Sequence, residues 1–221
     1  MSGIKSFYIG TGIRRREFLG MAGALALAPV LPVAARASDA IGEVLDVKGE
    51  VMKTNNEIET LIKTGAPLVN QDLVATGKRS FASMMLGSET KIIMGENTEV
   101  MLDSFLAEQG GTLELVSGDM VFDRPEGMPK IDLTIRTTFG QIGVRGTKFF
   151  TGKSRGNFAV FVEHGLVEVK SGQTLRKVAA GEGVDIATDA KTRSLFGGDM
   201  SETRTWGKGR IEEAYKSVGL L

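Results

Sequence analysis

The chain predicts an all-β protein: a short-strand sandwich, roll or short β-solenoid, with a C-terminal capping helix. Three observations lead there. Apolar and polar residues alternate in runs of about four to six residues, the period-2 pattern of half-buried strands. A glycine-bearing turn follows most of these runs, and glycine turns a chain at the least steric cost. The long helical patterns that would separate the strands of a parallel α/β sheet are missing.

The strand runs are read in order. Residues 41–47 and 49–52 break at Lys48-Gly49, and Asn55-Asn56 is a turn signal ahead of residues 58–62. Residues 72–76, 81–86, 91–94 and 99–102 follow, separated by Gly77-Lys78, Gly87-Ser88 and Gly95-Glu96-Asn97. Residues 113–116 and 120–122 are split by Ser117-Gly118-Asp119, and residues 133–137, 148–151, 158–163, 166–170 and 184–187 complete the series. A unit of strand, glycine with a charged residue, and strand recurs at 47–51, 116–121 and 162–167. It is too irregular for a formal repeat. Hairpins of an antiparallel sheet account for it, with solenoid coils as the alternative.

Two regions have a different texture. Arg124-Pro125-Glu126-Gly127-Met128-Pro129 reads as an exposed irregular connection, too short for a domain linker. From Ser201 onward the chain reads as helical, with Ser201 a possible cap and Glu202 in a first turn. Trp206, Ile211, Ala214, Tyr215 and Val218 recur on one face, while Gly207 and Gly209 weaken the start, so the helix is predicted over residues 210–218. That face is expected to cover the open end of the β core.

The first residues set a compartment. Arg14-Arg15-Arg16-Glu17-Phe18-Leu19 precedes an uncharged apolar stretch, residues 20–33, and then Ala35-Arg36-Ala37. Arg15, Arg16, Phe18 and Leu19 resemble the twin-arginine export signal of bacteria, and Ala35 and Ala37 supply its small-x-small cleavage site. The rival reading is a retained membrane anchor. The stretch has about 14 residues, with Pro29 and Pro32 among them, whereas a spanning helix needs roughly 20. The expected organisation is a leader over 1–37, a β domain over 38–195 and a helical tail over 196–221. The mature chain is expected to be soluble in the periplasm and not membrane-spanning.

Composition excludes several functions. The chain balances 27 basic against 27 acidic residues. Lys5, Arg14, Arg15, Arg16, Arg36 and Glu17 lie in the leader, so the remainder carries a net charge of −4. A mildly acidic chain with interspersed charges has no electrostatic footprint for nucleic acid. There is no cysteine and a single histidine, His164. Thiol chemistry and thiolate metal sites are therefore out of reach, and a zinc hydrolase lacks its nitrogen ligands.

The segment Leu133-Thr134-Ile135-Arg136-Thr137-Thr138-Phe139-Gly140-Gln141-Ile142-Gly143-Val144-Arg145-Gly146-Thr147-Lys148-Phe149 stands apart. A β run ends at Thr137 in a small-residue turn, and Gly143-Val144-Arg145-Gly146-Thr147 leads into the next run. This resembles the hallmark of FecR-type domains, a threonine-rich strand followed by Gly-Val-Arg-Gly-Thr-x-Phe, here completed by Phe149. The stretch Gln71-Asp72-Leu73-Val74-Ala75-Thr76-Gly77 is similar to the family's opening Gly-Asp-x-Ile-x-Thr-Gly, with its first glycine absent. Weaker matches bring the resemblance to about residues 41–190. It implies an all-β periplasmic module that acts by protein contact. In the founding family such modules carry signals from an outer-membrane receptor to a cytoplasmic sigma factor. The full regulators have a cytoplasmic region of many tens of residues ahead of a transmembrane helix. About 13 residues precede the arginine cluster here, so the periplasmic module alone is expected.

Gly143 and Gly146 suit a turn of positive φ or a close backbone approach. Arg145 between them either braces carbonyls left free by the turn or meets a partner carboxylate. Other motifs carry no chemistry. Residues 146–154 imitate a phosphate loop but lack its spacing and the helix it needs. No Gly-x-Ser-x-Gly is present. His164 reads as a turn-position surface histidine, and Glu43, Glu50, Glu57 and Glu59 as solvent-facing charges. The expected function is a non-enzymatic module, without cofactor or metal, that binds an unidentified envelope protein in signalling or assembly. The alternative is a carbohydrate- or small-ligand-binding β module. Such sites commonly expose aromatics, and this chain has one Trp and two Tyr.

Overall fold

A computed structural model describes residues 40–189, 191 and 200–221. The leader and the expected boundary at 195/196 lie outside the described residues. In chain order the strands are β1 (Gly42–Lys48), β2 (Val51–Asn55), β3 (Ile58–Leu61), β4 (Pro67–Leu68), β5 (Leu73–Thr76) and β6 (Phe81–Leu86). Then come β7 (Thr90–Met94), β8 (Glu99–Leu106), β9 (Gly110–Ser117), β10 (Met120–Asp123), β11 (Asp132–Thr137) and β12 (Gly140–Val144). The last are β13 (Lys148–Ser154), β14 (Asn157–His164), β15 (Leu166–Ser171), β16 (Thr174–Ala179), β17 (Glu182–Ile186) and β18 (Arg204–Thr205), followed by helix α1 (Lys208–Ser217).

The strands form two open sheets. The first has the order β18-β17-β14-β13-β10-β7-β6-β1-β4 and the second β16-β15-β12-β11-β9-β8-β5-β2-β3. Neighbours are antiparallel except β9 and β11, which run parallel from Gly110↔Asp132 to Leu115↔Thr137. The all-β expectation holds. Antiparallel hairpins build most of each sheet, but the three recurring glycine units are not hairpins. Gly49, Gly118 and Gly165 sit where the chain leaves one sheet for the other, between β1 and β2, β9 and β10, and β14 and β15. Their φ values of 82°, 88° and 85° let the chain leave the plane of its sheet instead of folding back along it.

Between the sheets lies one apolar core, with Met84, Ile92, Phe105, Leu113, Phe122, Ile135, Phe149 and Val160 among its members. A second cluster lies on the outer face of the first sheet, where Ile93, Val121, Phe150, Ala159 and Phe161 meet Trp206, Ala214, Tyr215 and Val218. The helix therefore covers a sheet face and not the open end of the core. Trp206 stacks on Phe161 at 5.0 Å, and the Arg210 guanidinium lies 3.8 Å over Trp206 while pairing with Asp185. The predicted apolar stripe is the one that packs. The predicted cap is not: Gly207 precedes the helix without a side-chain cap. Ser201 instead accepts a hydrogen bond from the Asp185 amide at 3.0 Å.

Four strands escaped the sequence pattern: β4 and β18, of two residues each, and the longer β12 and β16. Residues 140–144 are strand β12 and not a turn, because Gly143 is extended and pairs with Thr134 and Glu168. In β16, an edge strand, Val178 is the only fully buried residue, so its apolar period is too sparse to detect.

Candidate functional site

The signature corner is built from β12 and β13. Val144 closes β12 by entering the core, and Phe149 re-enters it on β13, stacked on Phe122 with ring centroids 5.4 Å apart. Between them the chain turns at Arg145-Gly146-Thr147, with Gly146 at φ 73°. Thr147 is fully buried, and its carbonyl accepts a hydrogen bond from the Arg124 amide at 3.1 Å. The next corner crosses here: a Cβ on Gly165 would lie 2.6 Å from Thr147 Cγ2 and 2.8 Å from the Gly146 carbonyl oxygen. Only glycine fits at 165.

Val144, Gly146, Thr147 and Phe149 are thus explained by the fold. Gly143 and Arg145 are not. Gly143 does not take a positive φ, and an added Cβ would meet nothing nearer than 3.7 Å. Arg145 is exposed, and among the described residues no carbonyl or carboxylate accepts from its guanidinium. The bracing role expected for Arg145 is not what the fold uses. Strand alternation places Gln141, Gly143 and Arg145 in one outward row, and all three are exposed. Leu166, 45% exposed, lies one step beyond the Val144↔Val167 pair.

The brace is Arg124, which the sequence placed in an exposed loop. It is 2% exposed. Its Nε and Nη2 donate to the Pro129 carbonyl at 3.1 and 2.8 Å, Nη1 to Thr90 Oγ1 at 2.9 Å and Nη2 to Glu89 at 2.7 Å. One guanidinium closes the loop on itself and ties it to the β6–β7 turn. Prolines at 125 and 129 supply no N–H, so a side chain must satisfy the loop's inward carbonyl. An arginine two residues after the apolar run 120–122, with prolines at 125 and 129 beyond it, was the available signal.

A titratable cluster borders the same end of the sheets. Lys148 Nζ lies 3.2 Å from Glu163 and 3.9 Å from Asp123, and the Tyr215 hydroxyl donates to Glu163. Burial works to raise the Glu163 carboxyl, but the Tyr215 hydroxyl and the Lys148 ammonium outweigh it and hold the group below its ordinary value. Burial, then the Glu163 carboxylate, pushes the Tyr215 phenol well above its ordinary range. His164 is half-buried, with Nδ1 3.7 Å from Glu126.

The opening motif has structural duties. Asp72 is fully buried; it accepts from Asn55 Nδ2 at 2.8 Å and the Val69 amide at 2.9 Å, and pairs with Lys53 at 3.3 Å. Thr76 Oγ1 donates to the Gly95 carbonyl and accepts from the Thr98 amide, at 2.6 and 2.9 Å. Gln71, standing where the family pattern has glycine, adopts φ 70°. The glycine conformation is kept without the glycine, and Gln71 Nε2 donates to the Asp103 carboxylate at 3.1 Å.

Residues 72–168 match the family model described as FecR protein, a narrower span than residues 41–190. Among solved structures the chain is similar to a candidate anti-sigma factor from Parabacteroides distasonis. The identity is 12%, the TM-score 0.50, and 63% of this chain and 62% of that one are covered. A second structure described in the same words gives 13% identity, a TM-score of 0.49 and the same coverage. At this identity the likeness is one of fold, and the chain spans 62% of that protein's length. No curated protein matches the sequence.

Arg15, Arg16, Phe18, Leu19, Ala35 and Ala37 lie outside the described residues. Residues 146–154 run into β13, with no helix after them to hold phosphate. Glu43, Glu50, Glu57 and Glu59 are exposed. Among the described residues no three His, Asp or Glu side chains are placed to hold a metal ion, and no helix is long and apolar enough to cross a membrane.

Proposed function

We propose that this protein is a non-enzymatic, FecR-like module that binds another protein of the cell envelope, in signalling or assembly, after export to the periplasm. The observation that carries this reading is the outward row Gln141, Gly143 and Arg145. The fold explains every buried member of the signature and leaves these positions open. A bare glycine permits close backbone approach, and an exposed arginine without a partner among the described residues, beside exposed Leu166, suits a partner that brings a carboxylate and an apolar contact. The match over residues 72–168 supports the signalling context.

The reading is tested by placing a photoreactive residue at Gln141 in the full chain, expressed in its native host. A specific crosslinked species is expected, lost on Arg145→Ala with the melting temperature unchanged. A crosslink that survives Arg145→Ala removes this row from the interface. Export is tested separately: the double change Arg15→Lys and Arg16→Lys is expected to retain the protein in the cytoplasm, and unimpaired export would exclude the twin-arginine route.

A further inference from the structure

The opposite end of β12 and β14 from the signature corner holds a cleft of about 590 Å³, within the range of small-molecule sites. It opens between the turn at Thr138 and Phe139 in the second sheet and the turn at Gly156 and Asn157 in the first. Leu115 and Phe158 form buried walls. Phe139 faces Phe158 across the gap between the sheets, with ring centroids 4.8 Å apart. The two rings come from different sheets, so their juxtaposition is made by the fold and not by a local motif.

Glu96, Asn97, Thr138 and Lys153 form an exposed polar rim around the cleft, and one polar atom lies deeper. Asn157 Oδ1 is buried, and among the described residues no donor reaches it. Buried acceptors without a donor are uncommon in folded proteins. This one lines an aromatic cleft, where an incoming N–H or O–H would complete it. Lys153 stands at the exposed side. Its amide donates to Asp119 Oδ1 at 2.6 Å, which fixes the first wall. The other mouth residue with a carboxylate, Glu96, is occupied by the Arg79 amide at 2.8 Å. Of the acceptors lining the cleft, Asn157 Oδ1 is the one that is buried and without a donor among the described residues.

We propose that this cleft binds a flat aromatic group carrying a single N–H or O–H donor, an indole or phenol, with the ring against Phe139, Phe158 and Leu115 and the donor on Asn157 Oδ1. The group is either a free small molecule or an aromatic side chain of a peptide. The inference is independent of the docking row, because β12 separates the two sites and each has its own variants.

The test titrates indole and 1-methylindole, which keeps the ring and removes the donor, into the full chain. Amide shifts of Phe139, Gly156, Asn157 and Phe158 are followed by NMR. Indole is expected to saturate these shifts, and 1-methylindole to bind about five-fold more weakly, the worth of one ordinary hydrogen bond. Asn157→Leu should erase that difference. Thr138→Trp, at an exposed rim position, should block both ligands while the rest of the spectrum stays in place. No saturable shift with indole, or unaltered binding in Thr138→Trp, overturns the site. Equal affinity for the two ligands overturns the role of Asn157. Tighter binding of a Gly-Gly-Trp-Gly-Gly peptide than of indole would assign the group to a protein, and the reverse order to a free metabolite.

Discussion

Arg124 and Arg145 stand on adjacent segments at one end of the sheets, joined by the bond from the Arg124 amide to the Thr147 carbonyl. Both follow an apolar strand, and both precede an irregular stretch with glycine. Arg124 is buried and engages three partners, Pro129, Thr90 and Glu89. Arg145 is exposed and engages none among the described residues. The glycines nearby divide the same way: Gly165 is forced by contact with Thr147, while Gly143 has room for a side chain. A signature in the sequence thus mixes residues that make the corner with residues that the corner merely presents.

The strongest way to break this comparison is Arg124→Ala. It leaves the Pro129 carbonyl, the buried Thr90 hydroxyl and the Glu89 carboxylate without their donor and empties a buried site, and a loss of about 3–5 kcal/mol in denaturant unfolding is expected. An effect as small as that of a surface residue would refute the bracing role. Next comes Gly165→Ala, expected to cost about 2–4 kcal/mol through the left-handed backbone and the collision with Thr147 and Gly146. Gly143→Ala is the matched control; it should change stability by less than about 1 kcal/mol, in the stabilising direction.

A smaller effect is expected from the cluster between these corners and α1. The folded Glu163 carboxyl lies below its ordinary value of 4.5, so its contribution is present above that pH and is lost as acid takes the pH through the folded value. The folded Tyr215 phenol lies above its ordinary 10.0, so its contribution is complete below pH 10 and declines as the pH rises toward the folded value. Glu163 is 44% exposed, and solvent screening holds the pair near about 1 kcal/mol. Tyr215→Phe should lose that amount at pH 7 and show a shallower fall in stability between pH 5 and pH 3 (approximately the carboxylate range). Equal slopes would show that the pair does not titrate with folding. Smallest of all, Arg145→Ala should stay within about 0.5 kcal/mol of the parent in unfolding while losing the crosslink.

Much of the fold was legible because it is written in local period. β15 alternates buried and exposed residues, while β14 is buried at five successive positions. Both patterns appear in the sequence as Leu166-Val167-Glu168-Val169-Lys170 and Phe158-Ala159-Val160-Phe161-Val162. The unbroken run on β14 reflects cover on both faces, by the second sheet and by Trp206 and α1. The site was legible only as a string. Its glycines and arginine were visible, but which of them the fold consumes depends on contacts with residues 124, 147 and 165.

The sequence by itself determined the all-β class, most strand positions, the apolar stripe of the tail and the location of the signature, because each depends on neighbours within a few residues. The tertiary structure alone decided that the glycine units swap sheets, that the helix lies on a face, that Arg124 is the brace while Arg145 is exposed, and that Phe139 and Phe158 meet over a cleft. Those outcomes depend on residues far apart in the chain. No local propensity encodes which buried carbonyl will need a donor or which aromatic rings will face each other once two sheets close.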